Sequence, residues 1–272
     1  MKYLKIIVIF LLLTSIGLYG FSLVKARNNQ DDTYPVITSD LEVLEINCNY
    51  NESDLLKGLH ARDEKDGDLS DDILVADLSR FSSLGVSEVT YVVFDHDHHS
   101  TTFKRTVIFN DYRSPQINLS KPLLFSVNST SDVLSNLNGN DLLDGDITTS
   151  ITLDNSNVNY QVPGDYNIDV SLTNSFGDRV DLTLPVHVVE SDRLSIDIQL
   201  NSYLVYLNQG DSFNPNTYLN QVFDSNGNQV STRLVDYQSN VDTSEAGVYE
   251  VKYAINVDGK RGLTYLTVIV ND

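Results

Sequence analysis

Residues 247–259 read GVYEVKYAINVDG, and from Tyr249 to Ile255 apolar side chains (Tyr249, Val251, Tyr253, Ile255) fall on every second position. An alternation of period two puts one face of a strand on a core and the other in water. Val, Ile and Tyr suit a pleated surface, and Asp258-Gly259 supplies the positive φ of a tight hairpin. The same opening occurs upstream as GDYNIDVSLTN at 164–174 and GVSEVTYVVFD at 85–95, at offsets of 83 and 79 residues. Each is followed by a polar turn and a closing strand, FKRTVIFND to Asp111, VDLTLPVHVVE to Glu190 and LTYLTVIVND to Asp272. A further mark precedes the first two: Asp63-Glu64-Lys65-Asp66-Gly67-Asp68-Leu69 returns 78 residues later as Asp141-Leu142-Leu143-Asp144-Gly145-Asp146-Ile147. In the third copy it has decayed to Asn226-Gly227-Asn228. Marks repeated in one order imply homologous units.

Short strands with turn punctuation and no sustained 3.6-residue period beyond residue 27 point to an all-β chain of small antiparallel sandwiches, each of roughly seven strands. The expected layout is a signal peptide or membrane anchor at 1–27, a linker at 28–34, and three sandwich domains at 35–111, 114–190 and 193–272. The junctions Tyr112-Arg113-Ser114 and Ser191-Asp192-Arg193 are short, which predicts limited swing and a rather extended rod.

Of the 272 residues, 38 are acidic and 18 basic, a formal net charge of -20. Such a surface repels phosphate backbones and argues against nucleic-acid binding. One cysteine, Cys48, excludes an intramolecular disulfide framework. Its parity with Leu44 and Ile46 predicts a small buried side chain. The 19 positions from Ile6 to Val24 carry no charge and lie between Lys2 and Lys5 on one side and Lys25 and Arg27 on the other. The run is long enough to cross a bilayer as one helix, and longer than a usual signal core, which favours a retained anchor over cleavage after Ala26. Asp31 and Asp32 follow on the distal side.

These residues resemble the bacterial surface Ig-like repeat family. The third unit carries Val241-Asp242-Thr243 followed by Gly247-Val248-Tyr249 and the closing Thr267-Val268-Ile269-Val270, and the first two carry Asp-Gly-Asp. The resemblance implies tandem Ig-like modules on a bacterial surface, serving as stalks, adhesive tips or accessory modules. The first unit departs at Ser79–Leu84, and the third lacks Asp-Gly-Asp. Fold-level likeness does not assign chemistry.

Asp63, Asp66 and Asp68, and Asp141, Asp144 and Asp146, gather the hard oxygens that calcium takes; the same residues also suit turns that cap their own backbone. Asp95-His96-Asp97-His98-His99 offers imidazoles to a transition metal, but adjacent side chains in a hairpin tip diverge. His60 and His187 stand alone. No nucleophile elbow, metalloprotease helix or phosphate-cradling loop is present, so catalysis is not expected. Tyr203, Tyr206, Tyr218 and Tyr237 of the third unit are candidate binding residues, since Tyr is favoured on recognition surfaces and stacks on sugars. The expected function is a non-catalytic stalk or adhesive module contacting an extracellular protein or glycan, attached to the membrane through its first helix if uncleaved. The alternative is a calcium-stabilised carbohydrate-binding module.

Overall fold

The computed structural model describes the backbone of residues 2–28 and 32–271, and side chains over 7–25 and 32–271. The side chains of Lys2, Lys5, Ala26, Arg27, Asp31 and Asp272, and positions 29–31 of the expected linker, lie outside the described residues. Helix α1 (Lys2–Asn28) opens the chain. Its stretch Ile7–Lys25 is long and apolar enough to cross a membrane, and none of it is buried.

The rest is β structure in two compact units, 1–110 and 111–272. The first holds β1 (Val36–Ser39), β2 (Val43–Ile46), β3 (Leu59–Asp63), β4 (Gly67–Asp68), β5 (Leu74–Leu78), β6 (Val86–Phe94) and β7 (Ser100–Phe109). They form a sheet of order β1-β3-β4 and another of order β2-β7-β6-β5. The second unit repeats this arrangement twice. Its first pair of sheets uses β8 (Gln116–Leu119), β9 (Leu124–Ser126), β10 (Leu137–Asp141), β11 (Gly145–Asp146), β12 (Ile151–Ser156), β13 (Gly164–Thr173) and β14 (Arg179–Val189), ordered β11-β10-β8 and β12-β13-β14-β9. Its second pair uses β15 (Asp197–Leu200), β16 (Leu204–Asn208), β17 (Leu219–Phe223), β18 (Asp236–Ser239), β19 (Gly247–Val257) and β20 (Lys260–Asn271), ordered β15-β17 and β16-β20-β19-β18.

The sheets are not wholly antiparallel as expected. β2, β9 and β16 each pair parallel to the last strand of their own repeat. The chain starts each repeat in the small sheet and crosses to the large one while keeping its direction, so it meets the closing strand running the same way. Periodicity reports which face a strand buries, not which neighbour it joins.

The long hairpins β6–β7, β13–β14 and β19–β20 carry the cores. Val89, Tyr91, Val93, Val107 and Phe109 are buried in the first repeat. Ile168, Val170, Leu172, Leu184 and Val186 serve the second, and Val251, Tyr253, Ile255, Leu266, Val268 and Val270 the third. Cys48 is buried at 8% exposure. The Gly-x-Tyr mark has a direct cause. A Cβ on Gly164 or Gly247 would lie 3.4 or 3.3 Å from the ring of Tyr166 or Tyr249, which folds back over the glycine. That tyrosine hydroxyl then donates to the carbonyl four residues upstream, Val162 or Glu245, at 2.9 Å in both copies.

Within the second unit, its two sheet pairs meet over more than a short link. Leu204 and Ile269 join the apolar cluster of the preceding repeat, with Tyr203 and Tyr206 packed against it. The Tyr206 hydroxyl accepts from the Ile117 N–H at 3.1 Å and donates to the Ile117 carbonyl at 2.9 Å. Burial pushes its pKa up to about 12, against the lowering effect of the Ile117 bond. The short link expected to limit swing is reinforced here by a packed joint, because the third repeat brings its own apolar side chains to the junction. Replacing Tyr206 with Phe strands both Ile117 groups and should cost about 1–2 kcal/mol, read as a lower urea midpoint with an unchanged far-ultraviolet circular dichroism spectrum.

Candidate functional site

The acidic turns are satisfied from within. Asp63 and Asp141 are 2% and 4% exposed. Each aims Oδ1 at two backbone N–H groups of its own turn, those of Lys65 and Asp66 at 2.8 and 3.0 Å, and those of Leu143 and Asp144 at the same distances. Gly67 and Gly145 follow at φ +81° and +71°, a region open to glycine. Asp68 and Asp146 then accept from the N–H groups of Ser70 and Thr148 at 3.0 Å, capping the next short turn. Hydrogen bonds from the Ser70 and Thr148 side chains, then from their N–H groups, hold both carboxyls below the usual range.

Asp66 and Asp144 reach instead to the tip of the last hairpin. Asp66 accepts from the His96 N–H at 2.9 Å, and Asp144 from the Ser175 N–H and hydroxyl at 2.6 and 2.7 Å. In the second repeat the incoming Tyr112 seals the same end, donating to Asp178 at 2.8 Å and accepting from Asn174 at 2.8 Å. Burial first, then the bond to Asp178, drives the Tyr112 pKa up. The third repeat keeps the device with Asp224, which accepts from the N–H groups of Asn226 and Asn228. Among the described residues no three His, Cys, Asp or Glu side chains converge as a metal site, and this includes both triads of aspartates and the segment Asp95–His99. Asp95 and His99 pair at 2.7 Å, and His99 packs on Tyr34. His60 is exposed and lies 3.0 Å from Asp40.

Three of the four candidate tyrosines are half-buried in packing contacts. Tyr203 packs against both clusters of the second unit, Tyr206 bonds Ile117, and Tyr218 stacks on Phe213 at 5.6 Å. A half-buried Tyr and an exposed one have the same signature along a strand, so parity could not separate them. Tyr237 alone among them stays open, at 43% exposure; it pairs with Tyr253 across the sheet and its ring lies 6.3 Å from that ring, while its neighbours Asp236 and Gln238 line a groove of about 370 Å³ on the other face.

Strand register explains the groove. Asp236, Ala254 and Leu263 form one cross-strand row, and Gln238 and Lys252 the next, on the face of β18-β19-β20 opposite the buried Val251, Tyr253 and Ile255. Asn256 and Arg261 close one side. Ala254 leaves the middle row low, and Arg193, from the turn before β15, contributes to the rim. Arg261 lies 3.7 Å from Asp192, whereas Arg193 and Lys252 have no ion pair among the described residues. The sequence reading did not single out these cations. The signal available was Lys252 on the wet face of β19 and two arginines 68 residues apart, and only pairing in space unites them.

His187 borders this region. Its ring is 6% exposed, stacks on Tyr265 at 3.6 Å and 8°, and places Nδ1 2.7 Å from Asp165 and Nε2 2.9 Å from Glu250. Both nitrogens face carboxylates, and only the charged ring has an N–H on each. Burial opposes that charge, but the bond and attraction from Glu250, then from Asp165, prevail and raise the pKa above 6.5. Asp165 is 85% exposed and Glu250 22%, so Glu250 is the stronger partner.

No protein-family model matches the chain. Among curated proteins, the pesticidal crystal protein Cry22Aa of Bacillus thuringiensis is 31% identical over 204 residues, 72% of this chain and 27% of that protein. The chain therefore spans about a quarter of the length of this relative. Similar solved structures include the CBM51-2 domain with GlcNAc and INT domains of Clostridium perfringens ZmpB, at 15% identity over 58% of this chain and 42% of that one, TM-score 0.29. The protocadherin GammaB4 extracellular domain is 12% identical over 90% of this chain and 50% of its own, TM-score 0.22. TM-scores this low leave the fold to be read from the sheets themselves.

Two outcomes follow from the geometry. The His187 stabilisation is present in full below about pH 6.5, the unfolded value, and is lost as pH climbs through the higher folded value. Urea stability should therefore fall as pH rises above about 6.5, by no more than about 1.4 kcal/mol per pH unit for one proton, and His187→Gln should remove that part of the slope. Because the six aspartates already accept from their own turn, the next short turn or the hairpin tip, millimolar calcium should leave the melting temperature unchanged, while Asp141→Ala should lower it.

Proposed function

We propose that the chain is a non-catalytic bacterial cell-surface protein of three tandem Ig-like sandwiches, spanning 35–111, 114–190 and 193–272. It stands at the membrane through its first helix, or is secreted if that segment is cut, and presents the third sandwich to an extracellular glycan. The apolar helix Ile7–Lys25, the acidic surface and the absence of catalytic motifs support this reading. So does the likeness to a stretch of a larger Bacillus protein, as expected of a module used in longer chains.

The observation that carries it is the contrast between two kinds of polar group. The acidic marks of the repeats bond their own turns and hairpin tips, whereas Arg193, Lys252, Gln238 and Asn256 line an open groove. A recognition surface needs polar groups left open to a ligand. A calcium-stabilised carbohydrate-binding module would share the glycan and add an ion, which these turns do not require.

The test is the full chain in detergent micelles, applied to arrays of glycans and of extracellular proteins. Retention on glycans that is lost when Arg193, Lys252 and Arg261 are all changed to Gln is the expected result. Retention on proteins alone, or glycan retention indifferent to these changes, would refute the assignment.

A further inference from the structure

Resting on the preceding reading, we infer that the groove on the third sheet pair takes a carboxylate-bearing sugar, a uronic or sialic acid residue. The charge distribution points to this class. In a chain with 38 acidic and 18 basic residues, three cations, Arg193, Lys252 and Arg261, line one groove against the single acid Asp236. The nearest acid along the same strand face, Glu250, is two residues from Lys252, and its carboxylate is bonded to His187 at 2.9 Å. That bond removes the obvious internal partner and leaves the Lys252 ammonium to an outside anion. The arrangement is selective as well as positive. Guanidinium groups match a carboxylate with paired donors, the Gln238 and Asn256 amides suit hydroxyls, and the Ala254–Leu263 row gives an apolar floor for a sugar face. A volume of about 370 Å³ lies at the small end of ligand pockets and suits one or two sugar units rather than an extended chain.

The groups that face the groove's cations are Asp236 on β18, Asp192 beside Arg261, and Tyr265 and Glu250 toward His187. None of them places a carboxylate within salt-bridge distance of Arg193 or Lys252 among the described residues.

The experiment is calorimetric titration of the full chain in micelles with trigalacturonate and with sialyllactose, each beside its methyl-esterified counterpart. A sulfated disaccharide and a pentaglutamate peptide serve as other anions. Binding of a carboxylated sugar is expected to be at least tenfold tighter than that of its ester and to weaken as salt is raised. Lys252→Gln and Arg193→Gln should each lose roughly tenfold. Lys104→Gln, which breaks an exposed ion pair with Glu88 in the first unit, should change nothing. Equal binding of acid and ester, with loss in the Lys252 variant, would overturn the acidic-sugar class while sparing the groove as a glycan site. Preference for the sulfated disaccharide or the peptide would likewise overturn the class. No binding of any probe, or binding untouched by all variants, would remove the site itself.

Discussion

One-sided burial of a long hairpin is the constraint on which the rest of this chain depends. Each repeat places its longest pair of neighbouring strands at the centre of a sheet and hides one face completely, so that Tyr91, Ile168 and Tyr253 lie at or below 1% exposure. A slip of one residue would turn those faces outward. The Gly-x-Tyr clamp at Tyr166 and Tyr249 holds the register at the open end of two of these hairpins, and the polar tips hold the other end. The small sheets, of two or three strands, close over the buried face and would not stand alone.

With register held in this way, the acidic residues of the repeats acquire a structural task. Three carboxylates in each of the first two repeats bond three different parts of the backbone: the turn itself, the following short turn and the last hairpin. Their charge is repaid locally by N–H dipoles, which helps so acidic a chain to bury Asp63 and Asp141. The third repeat substitutes Asp224 and asparagines and keeps the turn. Relieved of one end-sealing contact, that repeat also differs in what its large sheet exposes, and the cationic groove lies there.

Much of the fold was legible in the residues. The alternation in GVYEVKYAINVDG, the repeat offsets and the Asp-Gly turns report local geometry, and local geometry leaves a periodic trace. The parallel placement of β2, β9 and β16 left none, since strands of three to five residues carry the same pattern whichever neighbour they join. The candidate site was only partly legible for a related reason. Tyr203 and Tyr206 are covered by the preceding repeat, a contact that local sequence does not report, and Arg193 meets Lys252 only through folding. His187 looked solitary because its partners Asp165 and Glu250 are 22 and 63 residues away.

The parallel partnership of the opening and closing strands has a mechanical side. In each repeat the chain arrives at one end of the large sheet along a short strand and departs from the opposite end along the adjacent one. Tension drawn between the two ends of a repeat would slide these neighbours lengthwise, straining every cross-link of the ladder together instead of peeling them off singly.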